Sequence, residues 1–448
     1  MPTNRRAAQL LAATCTALED AVTRHMPAGP YRDFTAWAYS TDNPRRHEYL
    51  QSSGVIQLVT MTTGLLTGLV EEGDWPVLLH FAGLMNAYQV FEVVSDNLAI
   101  GLGSPRLDPV QRERLDLVSS VNRAMLQSIT PAHRTPAMLL LSGPAREAAR
   151  HASGFDLSLA RAKHAGMAEE YARHLAGVGR TAPMLDELEY GVWSALIANI
   201  ESCRDLIDAL AGTDTAALVR QGLADRYRAA DRTLRATHLS RLELAVLGEH
   251  SILVTPTLAY VIGVLCEVLV PVPGYLRALA DGTLADLYAD AAVLVRLQND
   301  IGSRLLRLPA LQQNSLVQRL AAGCAHVGAT TAEDALNVLA TATTSTSPEP
   351  DPLFTRLQKD IDNAESNLAL WHMRRAGDAE GALRALADSL SYYAGLYTQH
   401  SARLASGLAE LDERLGDRRA GTIVDRFVRF HERMYAHRHT DPIGEYAV

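Results

Sequence analysis

The segment Leu294-Val-Arg-Leu-Gln-Asn-Asp-Ile-Gly-Ser-Arg-Leu-Leu-Arg307 places Asn299, Ser303 and position 307 at i, i+4 and i+8. On a continuous α-helix these three project from one face. An amide oxygen and a hydroxyl at that spacing can jointly hold a hard divalent cation such as Mg²⁺, which takes oxygen ligands and keeps several waters. The third position would then be an acid, and here it is Arg307. A guanidinium about 5 Å from Mg²⁺ is repelled by roughly 7 kcal/mol at an effective dielectric of 20. Arg307 must therefore point away or meet an anion itself.

A second row stands in Phe91-Glu-Val-Val-Ser-Asp96, where Glu92 and Asp96 are one helical turn apart. They follow Phe81, Leu84, Met85, Tyr88 and Val90 in a strongly apolar stretch. Acids there are costly unless something pairs with them. Two such helices facing each other across a bundle could clamp metal ions between acids on one side and Asn/Ser on the other.

With these two rows the chain resembles the class I terpene synthases. That family carries an aromatic residue followed by D-D-x-x-D, and later N-D-x-x-S-x-x-x-E. Phe91 stands in the aromatic place, Glu92 and Val93 where the two acids would be, and Asp96 at the last acid. Asn299, Asp300 and Ser303 match the second motif, and Arg307 departs from its glutamate. The stretch Leu242–Pro256 is similar to the family's kinked helix, with Gly248 and Glu249 where a diphosphate-sensing arginine is expected. Arg438-His439 stands roughly where the family has an Arg-Tyr pair that closes over the diphosphate. The likeness covers about 75–100 and 240–325. Asp96 and Asn299 are 203 positions apart, which implies an insertion within about 130–180.

The resemblance implies a large antiparallel all-α bundle of the class I terpenoid synthase type, with extra helices. It implies a prenyl diphosphate or other isoprenoid substrate, and Mg²⁺ held by Glu92, Asp96, Asn299 and Ser303. Arg296, Arg304, Arg307 and Arg438 are the candidates for the diphosphate, since the planar guanidinium suits forked contact with phosphate oxygens. Aromatic faces would stabilise a carbocation and exclude water, and Tyr88, Phe91 and Trp193 are assigned to that job. The family also implies pairing as a homodimer. Two rivals stay open: the same fold acting without diphosphate ionisation, on an otherwise activated isoprenoid, or a helical scaffold that has lost its site.

The elements that must position these residues are helices. Ala, Leu, Arg and Glu dominate, apolar residues recur at three and four, and alternating strand patterns are missing. The spacing predicts helices over about 5–24, 47–71, 76–99, 108–128, 157–176, 183–211, 214–247, 252–269 and 283–307. Others follow at 313–325, 331–341, 353–376, 378–415 and 419–437. The expected organisation is a main helical domain over 1–340, a Pro/Ser/Thr-rich loop over 341–352, and C-terminal helices over 353–448 on the same bundle.

A formal net charge of −9, with 48% hydrophobic and 21% charged residues, fits an ordinary globular protein and provides no basic field for nucleic acid. The most apolar stretch, Ile252–Pro273, contains Glu267 and three prolines, so it reads as a buried helix rather than a membrane span. Cys15, Cys203, Cys266 and Cys324 form no CxxC pair and are expected as buried thiols. The first 25 residues read as an amphipathic helix rather than a signal peptide, which points to the cytoplasm. Glu169-Glu170…His174 has no second Glu-x-x-His helix to complete a di-iron site.

Overall fold

The computed structural model describes residues 2–131, 134–152, 166–181, 191–343 and 351–436. Parts of the expected insertion and of the 341–352 loop, and Arg438 with His439, lie outside them. The described residues are helical, with no strand among them. The chain divides into two compact units: Met1–Ala99, Arg112–Tyr227 and Tyr260–Pro271 form one, and Ile100–Gln111, Arg228–Ala259 and Val272–Val448 the other.

The first unit is built on the helix Trp75–Leu98, which starts at Pro76 and is apolar on nearly every face. Such a helix must be covered all round. Pro2–His25 lies on one side of it and Gly191–Asp208 on another. Gly83 makes the first approach possible, because a Cβ there would stand 3.0 Å from the Ala13 carbonyl oxygen. One buried amide ties three helices together: Asn86 Nδ2 donates to Thr14 Oγ1, and its Oδ1 accepts from Thr62 Oγ1. Glu267, the lone acid in the apolar stretch, accepts from Asp214 N, Thr215 N and Thr215 Oγ1. It thereby satisfies donors at the start of the helix Thr215–Arg235.

The second unit centres on Thr283–Asp300, packed against Arg241–Ser251, the 37-residue helix Ala379–Leu415 and Arg419–Met434. The long helix opens on Asp378, whose side chain accepts from Gly381 N, and closes at Gly416. Arg241–Ser251 opens on a capping box made by Ser240 and Glu243.

Most expected helices form, and several are divided. The 47–71 stretch is Arg46–Ser52 and Val55–Leu66. The 214–247 stretch breaks after Arg235, and 252–269 ends in a π-helical turn over Val264–Leu269. All four cysteines are buried free thiols. Among the described residues two stretches, Trp75–Leu98 and Arg241–Leu269, are long and apolar enough to cross a membrane by composition, yet 67% of each apolar window is buried inside the protein.

Candidate functional site

Glu92 and Asp96 share a face of Trp75–Leu98, as their spacing requires. The Glu92 side chain is buried, and three donors hold it. Asn199 Nδ2 (2.8 Å) and Tyr227 OH (3.1 Å) donate to Oε2, and Arg226 Nη2 (3.0 Å) donates to Oε1. The same Arg226 nitrogen donates to Asp96 Oδ1 at 2.8 Å. Asp96 differs from Glu92 in being open, its side chain 70% exposed. Burial pushes the Glu92 carboxyl above the ordinary glutamate range, with Arg226 pulling it back and Asp96 adding to the rise. Burial works against the Arg226 charge, but Asp96 and Glu92 more than offset this, so the guanidinium is held more firmly protonated than usual.

The three aromatic residues assigned from sequence belong to this unit's core. Phe91 is fully buried, and the Tyr88 hydroxyl meets Tyr227 OH at 2.7 Å. Trp193, on Gly191–Asp208, donates from Nε1 to the Leu141 carbonyl. A polar chain thus runs from Tyr88 through Tyr227 and Glu92 to Arg226 and Asp96. Asn199, Arg226 and Tyr227 were missed in the sequence. Asn199 did leave a signal, as a lone amide within the apolar run Val192–Ile200.

The second row lies in the other unit and departs from its expected geometry. Helix Thr283–Asp300 stops one residue after Asn299, and Ser303 opens a separate short helix, Ser303–Leu306. The expected single helix over 283–307 is therefore corrected: Asn299 and Ser303 do not stand at i and i+4 of one helix. The break is at Gly302, whose φ of +89° and ψ of 137° are open to glycine and strained for other residues. Gly302→Ala is expected to lower stability by about 1–3 kcal/mol in a urea melt.

Asn299, Asp300 and Arg307 around this break are all engaged. Asn299 Oδ1 accepts from Arg356 Nη2 at 2.6 Å, and its carbonyl oxygen accepts from Arg356 Nε. Asp300 is fully buried. Its Oδ1 accepts from Asn299 Nδ2 (3.1 Å), and its Oδ2 from Arg296 Nη2 (2.9 Å) and Leu368 N (2.8 Å). Burial raises the Asp300 carboxyl above the aspartate range, and Arg296 opposes the rise. Arg307 pairs with Glu432 and donates to Tyr397 OH at 3.1 Å. Arg304 is exposed, and its side chain has no hydrogen bond or ion pair among the described residues. It lines a small open indentation with Ser303, Arg356 and Tyr435. About 10 Å³ of that space admits water, roughly the room of a single molecule.

At the place expected for a sensing arginine, burial pushes the Glu249 carboxyl above the ordinary glutamate range, while His250 and His400 pull it back. Nearby, Asp290 accepts from His400 Nδ1 at 2.6 Å and faces Arg403 Nε at 3.3 Å. The charge at that place is thus inverted, with His250 beside it on Arg241–Ser251 and His400 and Arg403 reaching it from Ala379–Leu415. Among the described residues no group of three or more His, Cys, Asp or Glu side chains is placed to hold a metal ion.

No protein-family model matches the chain, and comparisons with curated proteins and with solved structures return no match.

Proposed function

We propose that this chain is a terpene synthase-like enzyme, acting on a prenyl diphosphate with Mg²⁺ and guiding the resulting allylic cation to a cyclic or rearranged product. The observation that carries the reading is the Glu92–Asp96 row. A carboxylate buried in an apolar helix is expensive, and this one is fully supplied with donors. One turn away the second carboxylate is left to solvent. Arg226 takes Asp96 Oδ1, which leaves Oδ2 as the oxygen of this row open to Mg²⁺, an ion that binds through one or two carboxylates and completes its shell with water and phosphate oxygens. Asp96 would be the reachable ligand, with Glu92 behind it. Bound there, the metal would supply Lewis-acid stabilisation of a departing diphosphate.

The chain's own residues do the rest. Arg226 holds both carboxylates in register and keeps them from repelling one another. Tyr227 and Asn199 fix the Glu92 oxygens, so the row is preorganised. Tyr88, Phe91 and Trp193 are assigned to sheltering the cation from water. Of the arginines assigned to the diphosphate that lie among the described residues, Arg304 is the one without an ion pair or hydrogen bond.

The test is incubation of the full chain with C10, C15 and C20 prenyl diphosphates and Mg²⁺. Pyrophosphate release is expected from at least one substrate, falling on the order of 100-fold or more in Asp96→Asn. Release from none of them, or equal release from Asp96→Asn, sinks the reading. A second reading, the same fold working without metal-assisted ionisation, is favoured by the state of Asn299, whose oxygens are taken by Arg356. Turnover that survives EDTA would select it.

A further inference from the structure

We infer that the second oxygen row is closed to metal, because the guanidinium of Arg356 occupies the position on Asn299 that a divalent cation would take. The inference rests on the reading above for the idea that this row once had a binding role. Both oxygens that residue 299 could offer to a cation accept from Arg356. Arg356 is only 2% exposed, and its guanidinium lies 4.8 Å from the centroid of the Tyr435 ring. It is a buried, stacked charge rather than a mobile surface one.

The remaining ligands of the pattern are also gone. Both Asp300 oxygens accept from protein donors. The break at Gly302 moves Ser303 onto another helix. Mg²⁺ demands near-octahedral oxygen geometry and gives up water reluctantly, so it would have to expel a buried guanidinium held by two hydrogen bonds to enter.

A second set of contacts points the same way. Groups in and around the second row, whether they match the expected pattern or depart from it, are contacted from beyond residue 352. Arg356 answers Asn299, Leu368 N answers Asp300, and Glu432 with Tyr397 answers Arg307. His400 and Arg403 answer Asp290. The segment beyond residue 352 therefore supplies, from within the chain, partners to oxygens and charges that a metal or anion would otherwise meet.

The experiment counts Mn²⁺ bound per chain by electron paramagnetic resonance on the full protein, with and without pyrophosphate. Ser303→Ala is expected to bind Mn²⁺ in the same number as the unaltered chain, with affinity within about twofold. Arg356→Gln frees the Asn299 oxygens and adds an amide oxygen, so it is expected to gain one Mn²⁺. That ion should be lost again in Arg356→Gln/Asn299→Ala and missing from Arg356→Lys. A loss of Mn²⁺ affinity of about tenfold or more in Ser303→Ala would overturn the inference. So would a folded Arg356→Gln with no added ion. Turnover is a separate measurement: a chain that releases no pyrophosphate refutes the proposed function, and the Mn²⁺ count on Arg356→Gln still decides this inference.

Discussion

Asp300→Ala is expected to cost the second unit about 3–5 kcal/mol of folding stability. The carboxylate is fully buried and has three donors: Asn299 Nδ2, Arg296 Nη2 and Leu368 N. Truncation removes a charged acceptor from the largely buried Arg296 guanidinium and leaves the Leu368 N–H without its acceptor. Each is a desolvation penalty rather than the loss of one contact. A urea melt should show the midpoint of the affected transition lower by about 1–2 M, at a slope of about 2–3 kcal/mol per molar. Asp300→Asn keeps the shape but turns one oxygen into a donor facing donors, and is expected to recover little. A loss under about 1 kcal/mol in the alanine variant would mean that Asp300 is not the charged hub of this unit.

Arg226→Leu should be as damaging in the first unit, and its cost should depend on pH. Removing the guanidinium leaves the Glu92 carboxylate buried, with only the neutral donors Asn199 and Tyr227. Burial already raises the Glu92 pKa, and Arg226 is the strongest influence holding it down. A carboxyl whose folded pKa lies above its unfolded value adds stability below the unfolded pKa and loses it as pH rises through the folded one. In Arg226→Leu that folded pKa moves further up. The variant is therefore expected to be destabilised by about 3–5 kcal/mol near pH 8 and markedly less near pH 5. Denaturation at the two values checks this, and an equal deficit at both would show that Glu92 is not the group left stranded.

The two effects arise from different kinds of buried charge. Around Asp300 one partner, Leu368 N, comes from beyond residue 352 and the others from its own helix. Around Glu92 they come from Gly191–Asp208 and from Arg226-Tyr227. Glu92 could be picked out in the sequence by its apolar surroundings and Asp300 by the motif it matches, while the distant partners Arg226, Asn199 and Leu368 could not. Glu92 stands out because Phe91, Val93 and Val94 surround it. Nothing local to Arg226 distinguishes it from Arg220, Arg228 or Arg232 on the same helix.

The sequence by itself determined that this protein is helical, because apolar spacing, caps and propensity are local properties of the chain. It also determined that Glu92 and Asp96 share a face, since one turn of helix is enough to bring them together. It placed Asn299 and Ser303 on one helix wrongly, although Gly302 stood between them. A glycine within helical spacing is compatible with continuation or with a break, and the positive φ that ends Thr283–Asp300 is chosen by what packs around it. Only the tertiary structure decided which charge meets which: Arg226 with Glu92, Arg356 with Asn299, Glu432 with Arg307. These partners are brought together from 134, 57 and 125 residues apart. Burial makes the Arg226–Glu92 pairing obligatory, because an unmatched charge inside the protein costs more than the chain's marginal stability can bear. The identity of the partner is set by packing over the whole unit, which no local pattern encodes.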